Sequence, residues 1–246
     1  LCQAVRAEKS SEGYVLFLLL AAKDAKVDML KGLDAGADDF ISKPPERAEL
    51  IARLNTGIHI LELERSLISA KEEIRILSIS DSLTGCYNRG FIMNRLPTEI
   101  KRAARYGHPL SIIMCDIDHF KQINDSHGHQ TGDLVLIKFV QWIRETLRNR
   151  VDWIARYGGA EFLIVLPETD LNGASNVAER VCVEIANKSI EFKDNKIQFT
   201  ASFGVTGTDG EVKDGGFLPE ELITQADNFL YQAKQQGRNR VISGLI

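Results

Sequence analysis

At 246 residues the chain is long enough for one large domain or two small ones. Apolar and charged shares of 44% and 26% are those of ordinary globular protein, and a net charge of -4 lacks the basic excess that general nucleic-acid binding needs. Cys2, Cys86, Cys115 and Cys182 form no Cys-x-x-Cys pair, which favours reduced thiols in a cytoplasmic protein over disulfides or zinc, and the longest apolar run, Tyr14–Ala22, is too short to span a bilayer.

Residues 1–44 have the pattern of the back half of an α/β domain. Cys2–Lys9 predicts the end of a helix, Tyr14–Leu20 a buried strand, Asp24–Ala35 a helix stopped at Gly36, and Asp39–Ile41 a short strand before Lys43-Pro44. This order resembles the C-terminal half of a response-regulator receiver domain, a flavodoxin-like fold. The resemblance implies two-component signalling from an upstream histidine kinase, with Lys43 as the lysine that contacts a phosphoryl group. Ala21 stands where the switch Ser or Thr belongs, and Leu1 reads as a cut end. The expectation is therefore a partial receiver that completes no phosphoacceptor site.

Residues 45–80 predict one long helix, with Gly57 as its only glycine and no proline after Pro45. At ~1.5 Å per residue it would span roughly 50 Å. Ile51, Leu54, Ile58 and Leu61 follow 3-4-3 spacing; Ile60, Leu63, Leu67, Ala70, Ile74 and Leu77 follow 3-4-3-4-3. Each row is a coiled-coil seam, and the two are out of phase by about two residues. The expectation is a parallel homodimer in which two pairing registers compete. A single amphipathic helix packed on its own domain is the alternative.

Residues 81–246 predict a second α/β domain with helices over Arg89–Tyr106, Asp133–Leu147, Leu171–Asn187 and Pro219–Gln235. Strands are predicted over Leu110–Ile117, Asp152–Arg156, Phe162–Leu166 and Ile197–Val205, with a short final strand. The core order β-α-β-β-α-β is ferredoxin-like. Strand Leu110–Cys115 runs into Asp116-Ile117-Asp118, which puts carboxylates, the hard oxygen ligands that magnesium prefers, at a sheet rim. Then follows Phe120-Lys121-x-x-Asn124-Asp125-x-x-Gly128-His129-x-x-Gly132-Asp133.

Arg156-Tyr157-Gly158-Gly159-Ala160-Glu161-Phe162 reads as strand, glycine-pair turn, strand, a tight turn that lets backbone approach a ligand. With the spacing after Asp116, it resembles the signature of the GGDEF family, the diguanylate cyclases, which join two GTP into cyclic di-GMP and two pyrophosphates. The fold implied is nucleotidyl-cyclase-like. By resemblance Asp116 is a metal-binding carboxylate, Ile117 adds its backbone carbonyl, and the amides of Phe120 and Lys121 face the β- and γ-phosphates. The metal implied is Mg2+ or Mn2+. Gly158 and Gly159 belong to the substrate turn, Ala160 occupies the place of the second acidic ligand, and Glu161 survives beside it. Asp118 is read as making a structural hydrogen bond.

Asn124 and Asp133 match the pair that contacts guanine. A carboxylate accepts hydrogen bonds from guanine N1–H and the 2-amino group, and adenine offers neither. The alternative for this pair is an Asn in a turn and an Asp capping a helix. Near the C-terminus, Ala226-Asp227-x-x-Leu230-Tyr231-x-Ala233-Lys234-x-x-Gly237-Arg238-Asn239 also matches, with Lys234 and Arg238 as phosphate cations; favourable placement at a helix C-terminus is their alternative. Asp81-x-Leu83-Thr84-Gly85-x-x-Asn88-Arg89 matches the family's opening turn and is read as a joint between helix and domain. A product-feedback motif Arg-x-x-Asp falls on Asn149 to Asp152, with Asn149 in place of the Arg.

The expected function is a diguanylate cyclase domain acting as a homodimer, regulated through the receiver and coiled coil. Ala160 predicts very low turnover with GTP binding retained, and weak feedback by cyclic di-GMP. A module that senses GTP or cyclic di-GMP without turnover, and a bare dimerisation scaffold, are the competing readings. Neither a nucleic-acid partner nor a membrane segment is expected.

Overall fold

The computed structural model describes residues 2–7, 15–22, 26–192, 195–208 and 218–246. The chain divides into two compact units, Leu1–Arg75 and Ile76–Ile246.

The first unit holds α1 (Cys2–Ala7), β1 (Leu18–Ala22), α2 (Lys26–Asp34), β2 (Asp39–Lys43) and most of α3 (Arg47–Ile79). β1 and β2 pair in parallel, with Leu18 opposite Asp39 and Ala22 opposite Lys43. Among the described residues β1 begins at Leu18; Tyr14, Glu8, Lys9, Asp24 and Ala25 lie outside them. Nor is β1 the fully buried strand expected, since Leu20 is 53% exposed. A two-stranded sheet has too few neighbours to cover both faces. Phe17 N donates to Asp38 Oδ2 at 2.7 Å, and Arg53 on α3 pairs with Asp39. A Cβ on Gly57 would lie 2.2 Å from Leu16 Cδ2, so the glycine of α3 marks a close approach. Helix α3 runs 33 residues. Ile51, Leu54 and Ile58 of its first apolar row, and Ile60, Leu63, Leu67, Ile74 and Leu77 of its second, are all exposed.

The second unit continues with β3 (Tyr87–Asn88), α4 (Arg89–Tyr106), β4 (Leu110–Ile117), α5 (Phe120–His127), α6 (His129–Thr146), β5 (Trp153–Gly158), β6 (Glu161–Pro167), α7 (Leu171–Asn187), β7 (Ile190–Phe192), β8 (Asn195–Ile197), β9 (Ala201–Thr208), α8 (Pro219–Gln235) and β10 (Val241–Leu245). Its main sheet has the order β10-β9-β4-β6-β5-β3. β4 is antiparallel to β6 and β9, whereas the edge pairs β10–β9 and β3–β5 are parallel. The central four strands, β9-β4-β6-β5, with crossover helices α6 and α7, form the ferredoxin-like core.

Both faces of the sheet are covered. One cluster unites Phe162, Ile164 and Leu166 of β6 with Phe139 and Ile143 of α6 and Val181 of α7. The other unites Leu163 and Val165 with Ile92 and Leu96 of α4 and Leu222 and Leu230 of α8. This alternation is the period-two geometry of a strand. Phe162–Leu166 are at most 1% exposed, which is why a central strand reads as an unbroken apolar run. Each such side chain contributes about 1.5–3 kcal/mol by leaving water.

Three elements differ from expectation. The helix predicted from Asp133 starts at His129, because Thr131 and Gly132 are buried without giving an apolar signal. Helix α5 was not predicted at all; Phe120 and Ile123 are its only large apolar residues. The predicted strand Ile197–Val205 is two strands, β8 and β9, parted at Gln198–Thr200.

Candidate active site

The rim begins where β4 ends. Asp116 stands opposite Glu161 in the antiparallel β4–β6 register, and directly paired residues share one face of a sheet. Helix α8 covers that face, and Lys234 in its last turn places Nζ 2.8 Å from Asp116 Oδ2. Burial and the neighbouring charge of Asp116 push the Glu161 carboxyl above its ordinary value; Lys234 pulls it back in part, and Asp227 adds to the rise. Two carboxylates and an ammonium thus share a small, partly desolvated volume.

Asp118 is 4% exposed and accepts hydrogen bonds from Thr200 Oγ1 at 2.7 Å, Ser202 Oγ at 2.7 Å and Asn239 N at 3.0 Å. It fastens the end of β4 to β9 and to the loop after α8, where Arg238 and Asn239 take left-handed backbone angles. The structural reading of Asp118 fits this geometry. Arg238 is exposed and its guanidinium makes no ion pair among the described residues.

Ile117 is buried at the end of β4. His119, in left-handed conformation, then opens α5 without a side-chain cap. The first-turn amides, Phe120 and Lys121 among them, have no acceptor within the helix. Phe120 is half-buried against the α6–α7 cluster and Lys121 is exposed. Asn124 lies within α5, not in a turn, and Asp133 lies inside α6, whose N-cap is Gly128. Both alternative explanations for this pair are therefore corrected: Asn124 makes no turn and Asp133 caps nothing. Asp133 is exposed. Asn124 Oδ1 is buried and, among the described residues, has no hydrogen-bond partner. It lies over Gly132, where a Cβ would come within 1.8 Å of that oxygen.

The signature forms the β5–β6 hairpin. Strand pairing slips between Arg156 and Gly158, then resumes with Gly158 opposite Glu161. Gly159 has φ 52, which favours glycine. Gly158 has no such φ, and a Cβ there would meet nothing within 4 Å, so no neighbour in the protein demands a glycine. Ala160 sits in the turn and packs with the α6–α7 cluster, whereas Glu161 pairs with Asp116 beneath α8. Glu161 therefore does not stand in for an acid at position 160.

The feedback candidates lie elsewhere. Arg148 donates to Asp152 through Nη2 at 2.6 Å and through Nε at 3.1 Å, leaving the Asp152 side chain 3% exposed. The same guanidinium donates to Pro167 O and Thr169 Oγ1. Asn149 lines a cleft of about 630 Å³ together with Arg144, Arg148, Arg150 and Trp153. Sequence reading missed the Arg148–Asp152 pairing; its only local sign was the four-residue spacing. Among the described residues no three His, Cys, Asp or Glu side chains gather as a metal cage, and no helix is long and apolar enough to cross a membrane.

A ferredoxin-like sheet with a parallel strand added at each edge, and an acidic strand end beside a glycine-pair hairpin, has the architecture of a nucleotidyl-cyclase-like domain. The family model described as "Diguanylate cyclase, GGDEF domain" matches residues 78–240, and the chain belongs to that family. Response regulator PleD of Caulobacter vibrioides is 36% identical over 227 residues, 92% of this chain; the chain spans about half of PleD, 49%. The coiled coil and GGDEF domain of DgcB from Caulobacter crescentus, solved in complex with c-di-GMP, is similar with a TM-score of 0.69 at 30% identity, over 79% of this chain and 99% of that one. Diguanylate cyclase SiaD from Pseudomonas aeruginosa, solved with its activator SiaC, gives a TM-score of 0.64 at 32% identity, over 80% of this chain and 74% of that one.

Proposed function

We propose that the second unit is half of a GTP-condensing centre, completed by a second copy of the chain, and that Ala160 nearly silences it. The observation that carries the reading is the buried, unpartnered oxygen of Asn124 above Gly132. An unmet acceptor of that kind is costly unless a ligand donor meets it, about 1–3 kcal/mol. Guanine brings N–H donors to that oxygen and to the Asp133 carboxylate, whereas adenine leaves the acid without its partners. Because Asp133 is exposed in the free chain, the discrimination rests mainly on the buried Asn124 oxygen, about 1–3 kcal/mol or roughly 10- to 10²-fold.

The phosphates lie along the free amides of Phe120 and Lys121 and against Gly158 and Gly159, with Lys234 and Arg238 as countercharges. Asp116 and the Ile117 carbonyl fit a divalent cation, Mg2+ or Mn2+: the donors are hard oxygens, and such ions take one or two carboxylates alongside substrate phosphates. When bound, the cation neutralises phosphate charge and lowers the pKa of the attacking 3′-hydroxyl. Lys234 then shares Asp116 with it or turns to the phosphates. The 3′-oxygen of one GTP attacks the α-phosphorus of the other, the bond to pyrophosphate breaks, and the reciprocal step closes the ring. The exposed rows of α3 and the receiver-like first unit bring the two copies together under control of an upstream histidine kinase; the similarity to a response regulator supports this.

Position 160 is where the family carries its acid, and a methyl group offers no ligand and no base. A loss of roughly 10³-fold or more in rate is expected for such a group. Calorimetry with GTP and Mg2+ should show binding to the chain as it is. Ala160→Asp should raise cyclic di-GMP formation by about that factor; turnover within tenfold of the unaltered chain would refute the reading. GTP binding without any gain in the variant would leave a sensing module in its place.

A further inference from the structure

The hairpin that carries position 160 contains two adjacent glycines and a slipped register. Two glycines make a poor platform for aiming a catalytic side chain, because each samples backbone states closed to other residues. One side chain restrains it. Arg156 Nε donates to the carbonyl oxygen of Gly159 at 2.8 Å. That oxygen belongs to the peptide plane joining Gly159 to Ala160, so holding it sets the direction in which the side chain at 160 leaves the backbone.

The same guanidinium is anchored at its other end. Arg156 Nη1 donates to Asp81 Oδ2 at 3.2 Å and Oδ1 at 3.4 Å. The side chains are 21% and 18% exposed, so this pair is less screened than a surface one. Asp81 is itself fixed by the Thr84 amide at 2.9 Å and the Thr84 hydroxyl at 2.7 Å. Burial works against the Asp81 charge, but the bonds from Thr84 and Arg156 outweigh it and hold the carboxyl below its ordinary value. Asp81 follows the last turn of α3 by two residues. Asn88 secures that turn: its Nδ2 donates to Ser78 O at 2.8 Å, while its Oδ1 accepts from Phe91 N at the start of α4.

We infer that Arg156 is a positioning residue for catalysis, a two-ended clamp that fixes the Gly159–Ala160 peptide from the turn at the exit of α3. The planar fork of arginine is what allows one side chain to hold both partners, and a lysine ammonium does not reproduce it. Through Asp81 the exit of the long helix and the aim of position 160 share one mechanical link. The inference rests on the reading that position 160 is the place of the catalytic acid.

The test has two arms, both on the full chain. In the unaltered background, hydrogen exchange at Ala160 and Glu161 should quicken at least fivefold in Arg156→Gln and in Arg156→Lys, with Ile164 unchanged. In the Ala160→Asp background, the same substitutions should lower kcat at least tenfold while the Kd for GTP moves less than threefold. Asp81→Asn should lower kcat by a smaller factor and add nothing on top of Arg156→Gln. Unchanged exchange at the hairpin overturns the clamp whatever the turnover. So does full rescue by Arg156→Lys, which would mark a simple ion pair. If Ala160→Asp makes no cyclic di-GMP, the cyclase reading fails and the exchange arm still decides the clamp.

Discussion

At Gly132 the space a methyl would fill is taken by the Asn124 amide, with Phe120 Cζ at 3.2 Å behind it. Gly132→Ala should therefore push Asn124 out of line. GTP affinity should fall at least tenfold in calorimetry, with a cost in stability of about 1–3 kcal/mol from overpacking. Affinity unchanged by that substitution would remove Asn124 from the base site. Glu161 provides a pH test. Its carboxyl is raised, so between the unfolded and folded pKa values the native state binds more protons than the unfolded one, and stability falls as pH rises through that window. Glu161→Gln should thus melt higher than the parent at pH 7, with the gain vanishing once pH drops below the ordinary carboxylate value. At this scale the positions of Asp116 near the end of a buried strand and of Lys234 in the last turn of a helix were legible because strand and helix signals are local. The hold of Arg156 on Asp81 was not, because it joins residues far apart in sequence and depends on where a slipped strand aims a side chain.

Helix α8 carries Lys234, and its distance from the sheet is set by one residue of β9. A Cβ on Gly204 would lie 2.1 Å from Ala226 O and 2.2 Å from Leu230 N, both rigid backbone. Gly204→Ala must move the helix, since no side chain can rotate aside. Chemical denaturation should register about 1–3 kcal/mol of destabilisation, and GTP affinity should fall with it as Lys234 leaves Asp116. Stability within 0.5 kcal/mol of the parent would mean that the helix shifts freely, roughly the range of a neutral surface change. The same element shows what a sequence conveys. Pro219, the glutamates after it and the apolar 3-4 spacing marked α8 at both ends. Helix α5 lacked all such signals: it opens on a left-handed His119 with no side-chain cap, and most of its residues are polar. Its presence comes from Phe120 and Ile123 packing on a core that other segments build.

For the whole molecule the open question is what covers α3. Ile60, Leu63, Leu67, Ile74 and Leu77 are 41–68% exposed, as are Ile51, Leu54 and Ile58 at 42–53%. Buried against a second copy, each leucine or isoleucine contributes about 1.5–3 kcal/mol. A few layers of such pairs then exceed the roughly 4–15 kcal/mol that association costs. Because the two rows are offset by about two residues, one straight seam cannot bury both with the same heptad. If the proposed dimer forms along α3, Leu63→Glu with Leu67→Glu should convert it to monomer in sedimentation velocity, since four like charges would meet at one seam. Substitutions that extend either row alone into an unbroken heptad should keep the dimer yet hold the cyclase units in different rotations. Both register-locked variants carry Ala160→Asp for this comparison, and their rates of cyclic di-GMP formation should differ severalfold. Equal rates in the two locked registers would mean that α3 only tethers the copies, and that the phase break between its rows carries no signal.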